Sequence, residues 1–261
     1  MKAAFIDTHC HFDFPPFLEH EEESLQLAGH SGVERLIVPA VTRDRFDDIT
    51  RLIGRFSSVY GALGLHPLYI DRHKNSDVDE LERYLSEKNH RIVAVGEIGL
   101  DDYMETPQLA RQEQLLIEQL RLAERFNLPV ILHSRRTHDR LAKLLREANQ
   151  SRTGVIHGFS GSLSQAQAFI KLGYFIGVGG VITYERAQKT RRAIAKLPLE
   201  RLVLETDAPD MPLAGFQGQP NRPERIVQVF EQLCLLREEP PEQIAQQIYL
   251  NSLALFWPGQ R

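Results

Sequence analysis

Short runs of Val, Ile and Leu alternate along this chain with longer segments whose apolar residues recur at helical spacing, and the alternation reaches the C-terminus without a linker or low-complexity break. The runs predict strands starting at Phe5 and at residues 35–41, 59–64, 92–97, 129–133, 154–157, 175–178 and 201–207. The segments between them predict helices at 19–29, 44–56, 77–87, 108–126, 137–148, 162–172 and 185–196, and two more, 223–236 and 240–256, close the chain. The clearest is 108–126, where Leu109, Leu115, Leu116, Leu120, Leu122 and Ala123 stand among charged and amide residues. Acidic residues open the first helix, as the macrodipole favours, and Ser164 is the expected N-cap of the sixth.

Eight strands alternating with eight or more helices predict a (β/α)8 barrel formed by residues 1–261 as a single domain. A doubly wound open sheet is the competing α/β architecture. It fits less well, because no Gly-x-Gly-x-x-Gly follows the first strand and His9-Cys10-His11 stands there instead.

Composition narrows the class without changing the fold. With 42% hydrophobic and 25% charged residues the 261-residue chain is an ordinary globular protein, and it lacks both a membrane-spanning apolar run and a signal-peptide layout, which predicts a cytoplasmic location with no membrane partner. Cys10 and Cys234 form no Cys-x-x-Cys spacing, so they are expected to be reduced packing residues. A formal net charge of −4 argues against blanket phosphate neutralisation, but a nuclease that recruits divalent cations stays open. No stable protein partner is expected.

The chemistry-bearing residues gather at the strand ends. In an extended strand His9 and His11 face one way and Cys10 the other, so two imidazoles could grip one cation. Alone, such a pair could equally be hydrogen-bonded surface histidines. The other ends carry His66, Glu97, His133, His157 and Asp207, so five of the ten histidines fall at tips that a barrel brings to one face. Imidazoles and carboxylates without a thiolate suit zinc, manganese, cobalt or nickel, with magnesium also possible. Six ligands exceed one tetrahedral ion and predict two divalent cations, and a pair of ions lowers the pKa of a bridging water towards neutrality. Asp207 would bind an ion and also accept the proton of the attacking water.

The segments Phe5-Ile6-Asp7-Thr8-His9-Cys10-His11, Gly64-Leu65-His66-Pro67, Gly96-Glu97-Ile98-Gly99-Leu100-Asp101, Leu132-His133-Ser134-Arg135, Ile156-His157-Gly158-Phe159-Ser160-Gly161 and Leu204-Glu205-Thr206-Asp207-Ala208-Pro209 together resemble the signature set of the TatD family of metal-dependent deoxyribonucleases. The likeness runs in order over nearly the whole chain. It implies a TIM barrel of the amidohydrolase type with a divalent metal pair, and DNA or another phosphodiester as substrate. By position His9, His11 and Asp207 match ligands of one metal, Glu97 a bridging ligand, His133 and His157 ligands of the second, and His66 a contact to substrate phosphate. Asp102-Tyr103-Met104 departs from the aromatic and basic residues common at that place, which bears on substrate preference.

Other residues admit structural readings. Glu205 would orient a ligand from one layer deeper than Asp207, or serve only as a structural hydrogen-bond acceptor. Arg135 and Arg136 could meet a phosphate bidentately, or be surface arginines. Asn221-Arg222-Pro223-Glu224 reads as a capping box, against the alternative that this loop, with Gly215 and Gly218, walls the substrate cleft. Gly179 and Gly180 would permit close backbone approach. His20, His30, His73, His90 and His138 read as solvated or loop residues. The leading function is hydrolysis of DNA phosphodiesters. Metal-dependent hydrolysis of an amide, ester or lactone is the alternative, and a metal-stabilised DNA-binding protein without turnover is a third reading.

Overall fold

In a computed structural model of the chain, which describes residues 3–260, eight parallel strands follow one another around a single sheet in chain order. They are β1 (Phe5–Asp7), β2 (Val33–Pro39), β3 (Val59–Leu63), β4 (Ile92–Asp101), β5 (Val130–Arg135), β6 (Gly154–Ile156), β7 (Phe175–Val178) and β8 (Leu202–Leu204). The helices among the described residues are α1 (Glu21–His30), α2 (Phe46–Arg55), α3 (Ser76–Ser86), α4 (Leu109–Arg125), α5 (His138–Ala148), α6 (Leu163–Lys171), α7 (Gln188–Lys196), α8 (Ile226–Leu236) and α9 (Pro241–Phe256). None is long and apolar enough to cross a membrane.

The barrel closes between β8 and β1 through a seam of single bonds rather than a ladder. Thr8 N–H donates to the Leu204 carbonyl (3.1 Å), and Cys10 forms an isolated parallel bridge with Ala208. The expected β8 is therefore shorter than 201–207, because its last residues leave the sheet to carry Asp207, and β1 likewise ends before His9.

Alternation sorts the strand residues into two cores. Ile6, Ile37, Ala62, Ala94, Ile131, Val155 and Val203 fill the barrel interior, where Leu253, Leu255, Phe256 and Trp257 at the end of α9 plug the opening at which the strands begin. The opposite faces pack on the helices: Phe5 meets Phe230 of α8 with ring centroids 5.2 Å apart, and Phe46, Ile49, Leu52 and Ile53 supply the buried stripe of α2. Cys10 and Cys234 are free thiols, the first buried in this outer core.

Two local expectations are corrected. The cap of α6 is Ser162, not Ser164: the Ser162 hydroxyl accepts from Gln165 N–H while Gln165 Oε1 accepts from Ser162 N–H, a complete capping box two residues earlier. The capping box at Asn221 does not form. Asn221 is fully buried, and its Nδ2 donates to the carbonyls of Thr206 (2.8 Å) and Met211 (3.2 Å), pinning the loop after β8. Glu224 accepts from Arg222 Nε instead (2.6 Å). Buried carbonyls without other partners outbid a local cap for the asparagine amide.

Candidate metal centre

The side chains of His9, His11, His66, Glu97, His133, His157 and Asp207 meet where the strands end. Glu97, buried at the centre, divides them by its two oxygens. Oε2 lies 3.2 Å from His9 Nε2 and 3.5 Å from His11 Nε2, and those two nitrogens stand 3.5 and 3.6 Å from Asp207 Oδ1 and 3.3 Å from one another. Oε1 lies 2.7 Å from His157 Nε2, 3.1 Å from His133 Nδ1 and 2.7 Å from His66 Nε2.

The geometry of the first group fits a metal ion. Ligands about 2.0–2.2 Å from one ion stand roughly 3.3–3.6 Å apart across a tetrahedron, which is the spacing of the His9, His11 and Asp207 atoms. Glu97 Oε2 is buried with no hydrogen-bond partner, an acceptor oxygen turned towards nitrogens without donor geometry. The donors are nitrogen and oxygen only, and Cys10 points into the outer core.

Hydrogen bonds assign different duties to two of the imidazoles. His133 Nε2–H donates to Asp101 Oδ2 (2.7 Å), which leaves the Nδ1 lone pair facing Glu97 and His157 (3.3 Å). His66 is the reverse. Its Nδ1 accepts from Leu68 N–H (3.0 Å) and caps the short 3-10 turn Pro67–Tyr69, so the neutral ring carries its proton on Nε2 and donates to Glu97. His66 is thus both a loop cap and a donor facing the centre.

Charge and burial pull these groups apart. Burial would raise Glu97, but the imidazoles of His157, His66 and His9 outweigh it and hold the carboxyl well below its usual range. Burial would lower His157, and the Glu97 carboxylate overcomes that and pushes it up to about 10. Burial drives Asp207 well above the ordinary carboxyl range, opposed by His157 and reinforced by the carboxylates of Glu97, Glu205 and Asp210. Burial likewise lowers His9, further depressed by His157, whose ring stacks on it at 3.9 Å.

The supporting shell includes residues to which the sequence assigned no role. Asp7 accepts from His9 N–H (3.3 Å), Thr206 N–H (3.0 Å) and the Thr206 hydroxyl (2.6 Å), tying the His9 segment to the Asp207 segment. Asp207 itself sits at φ 57°, a left-handed conformation that a non-glycine residue keeps only under such restraint. From α4, Gln119 bonds both backbone groups of Leu65, beside His66, and Gln112 bonds both of Asp101. Asp101 could have been found by parity, since it lies on the face of β4 that carries Glu97. The two glutamines are marked only by lying on the buried side of an otherwise apolar stripe.

Glu205 is fully buried below Asp207. Its Oε1 accepts from Gly158 N–H and lies 3.9 Å from His157 Nδ1. Burial raises its carboxyl to about 7. Gly177 makes room for it, since any side chain there would collide with the carboxylate, and Gly180 lets the chain pass close to the Met211 carbonyl.

A cleft of about 670 Å³ opens over the centre and is walled by Tyr69, Arg135, Arg136, Val181, Asp210 and Met211 among others. The loop after β8 contributes through Asp210 and Met211, whereas Gly215 and Gly218 lie outside this lining. Of the five histidines read as solvated or loop residues, His73 lies in a loop but is buried, its Nε2–H donating to the His66 carbonyl (2.8 Å), and His138 is neither, since it opens α5 and packs 5.3 Å from the Phe159 ring. His20, His30 and His90 are exposed.

Comparison with known proteins places these features in context. The sequence model of the TatD related DNase family matches residues 6–257. Over 256 residues the chain is 57% identical to the uncharacterized metal-dependent hydrolase YjjV of Escherichia coli K12, covering 98% of this chain and 99% of that protein. The 1.8 Å crystal structure of YjjV, a TatD homologue, superposes with a TM-score of 0.97, again covering 98% and 99%. A TatD family hydrolase from Entamoeba histolytica, 20% identical, shares the fold with a TM-score of 0.89 over 99% of both chains.

Proposed function

The chain belongs to the TatD-related DNase family and is a metal-dependent hydrolase of that family; from that premise we propose that it cleaves phosphodiester bonds of DNA at a pair of divalent cations. The observation that carries the reading is the Glu97 carboxylate, whose two oxygens face two separate groups of imidazoles at the floor of one cleft.

His9, His11 and Asp207 would hold one cation and His133 and His157 the other, with Glu97 between them. Bound there, the pair would polarise a phosphoryl oxygen and lower the pKa of water. The residues of the chain do the rest. Asp207 lines the cleft and takes the proton of the attacking water. His66 Nε2–H, which faces Glu97 here, would turn to a phosphate oxygen once Glu97 held the cations, and Arg135 stands farther out on the wall beyond His133, where it would meet more of the substrate. Asp101 keeps His133 aimed inward, and Glu205 fixes the backbone just after His157 by accepting from Gly158 N–H.

Metal analysis joined to product mapping on a defined oligonucleotide tests this. Two cations per chain and cleaved phosphodiesters are expected, together with an Asp207→Asn variant that keeps its metals but loses turnover on the order of 10²–10⁴-fold. Turnover of an amide or lactone panel with none on oligonucleotides would replace DNA by a small carbonyl substrate. Tight oligonucleotide binding without turnover under any metal would leave only a binding protein.

A further inference from the structure

The lining of the cleft includes two guanidinium groups, those of Arg135 and Arg136. Arg135 and Arg136 form no ion pair and donate no side-chain hydrogen bond among the described residues. Both rest instead on one ring, with their guanidinium carbons 3.8 and 4.3 Å from the centroid of Tyr103. A ring holds a cation by its face and takes none of its N–H donors, so every donor of both groups stays available to an anion.

This cluster is built onto the metal centre. Asp101 accepts from Tyr103 N–H through Oδ1 (2.7 Å) and from His133 through Oδ2 (2.7 Å), and Asp102 N–H donates to the Arg135 carbonyl (3.0 Å). Arg135 is two residues beyond His133 on the same face of β5, hence about 7 Å further towards solvent. One nucleotide unit spans that separation. A single diester seated at the metals would leave these groups unused, whereas a chain of phosphates would reach them.

We propose that Tyr103 positions Arg135 and Arg136 as an anion clamp for the phosphate adjoining the one at the metal centre, so that the protein favours an oligonucleotide over an isolated phosphodiester. The proposal rests on the DNA reading above and names a specificity element within it. It also gives a role to the Asp102-Tyr103-Met104 segment. Tyr103 is half exposed and its hydroxyl makes no hydrogen bond among the described residues, so the ring rather than the phenol is the working part.

The test compares Tyr103→Leu and Tyr103→Phe with the unaltered, metal-loaded protein on tetrathymidylate and on bis(4-nitrophenyl) phosphate. Tyr103→Leu should lower kcat/KM on the oligonucleotide about tenfold, mainly through KM, and leave the small diester unchanged. Tyr103→Phe should preserve both. Equal loss on both substrates, or no loss on either, overturns the clamp. A second measurement, anisotropy of labelled tetrathymidylate on metal-free protein, is independent of turnover. Tyr103→Leu should weaken binding by a similar factor, and Arg136→Gln should reduce the slope of log affinity against log salt by about 0.7. If the unaltered protein cleaves no oligonucleotide yet its binding depends on Tyr103, DNA cleavage fails and the clamp stands. If it cleaves the oligonucleotide and Tyr103→Leu does so equally well, the clamp fails and DNA cleavage stands.

Discussion

The two ends of the barrel interior are made of opposite chemistries. Where the strands begin, Ile6, Ala62, Ala94 and Val203 meet Phe256 and Trp257 in an apolar plug. Where they end, the same interior is filled with imidazoles and carboxylates, several of them fully buried. The apolar end removes hydrocarbon from water at about 25 cal/mol per Å² and needs no partner of special geometry. The polar end loses hydration, and each buried charge must be answered by another charge or a cation. Stability therefore resides at one end and reactivity at the other, and the strands between them keep the second in place.

Substitutions at the two ends should separate the two properties. The largest effect is expected from Glu97→Gln, which alters both donor groups together. Turnover should fall on the order of 10³-fold or more and metal content should drop. A large loss of stability in that variant would show that the polar end also supports the fold. Chelation should do the same reversibly, abolishing turnover until a divalent cation is returned while circular dichroism stays constant.

At the opposite end, Phe256→Ala should cost about 3–5 kcal/mol, seen as a lowered denaturant midpoint, with kcat at low temperature unchanged. Comparable loss of kcat would mean that the plug is coupled to the centre. Asp101→Asn gives a smaller effect on the polar side alone: metal affinity should weaken about 10–100-fold, measured by competition with a chelating dye. The smallest is expected from Asn221→Ala, which leaves two loop carbonyls unpaired and should cost about 1–3 kcal/mol. Because that loop carries Asp207, part of its effect should appear in kcat, and a purely thermal effect would place Asn221 with the structural end.

The order of the elements was legible because strand and helix periods are local properties of the chain, and a closed βα barrel leaves little choice once eight such units follow one another. The expected starts and ends differ from the structure by a few residues, most at the end of β4, which runs on to Asp101, and at β8, where the chain leaves the sheet to reach the centre. That the strand ends carry His9, His66, Glu97, His133 and His157 could be read directly, since position on a strand is also a local property.

Partnership was not legible in that way. Nothing local distinguishes Asp7 from other strand-end carboxylates, and parity places Asp101 on the face of Glu97 without naming its partner. Their duties appear only when Thr206, 199 residues from Asp7, and His133, 32 residues from Asp101, are brought beside them. The same physics misdirected the reading of Asn221, whose amide serves distant carbonyls rather than the turn beside it, and of His138, which packing buries at the start of α5. The pattern of apolar and polar residues by itself determined a barrel with imidazoles and carboxylates at one mouth, because periodicity and alternation act over a few residues. Only the tertiary structure decided which oxygen of Glu97 faces which imidazole, which nitrogen of His66 and His133 carries the proton, and that Arg135 and Arg136 rest on Tyr103, because hydrogen bonds and ion pairs depend on distances that exist only once the chain has closed.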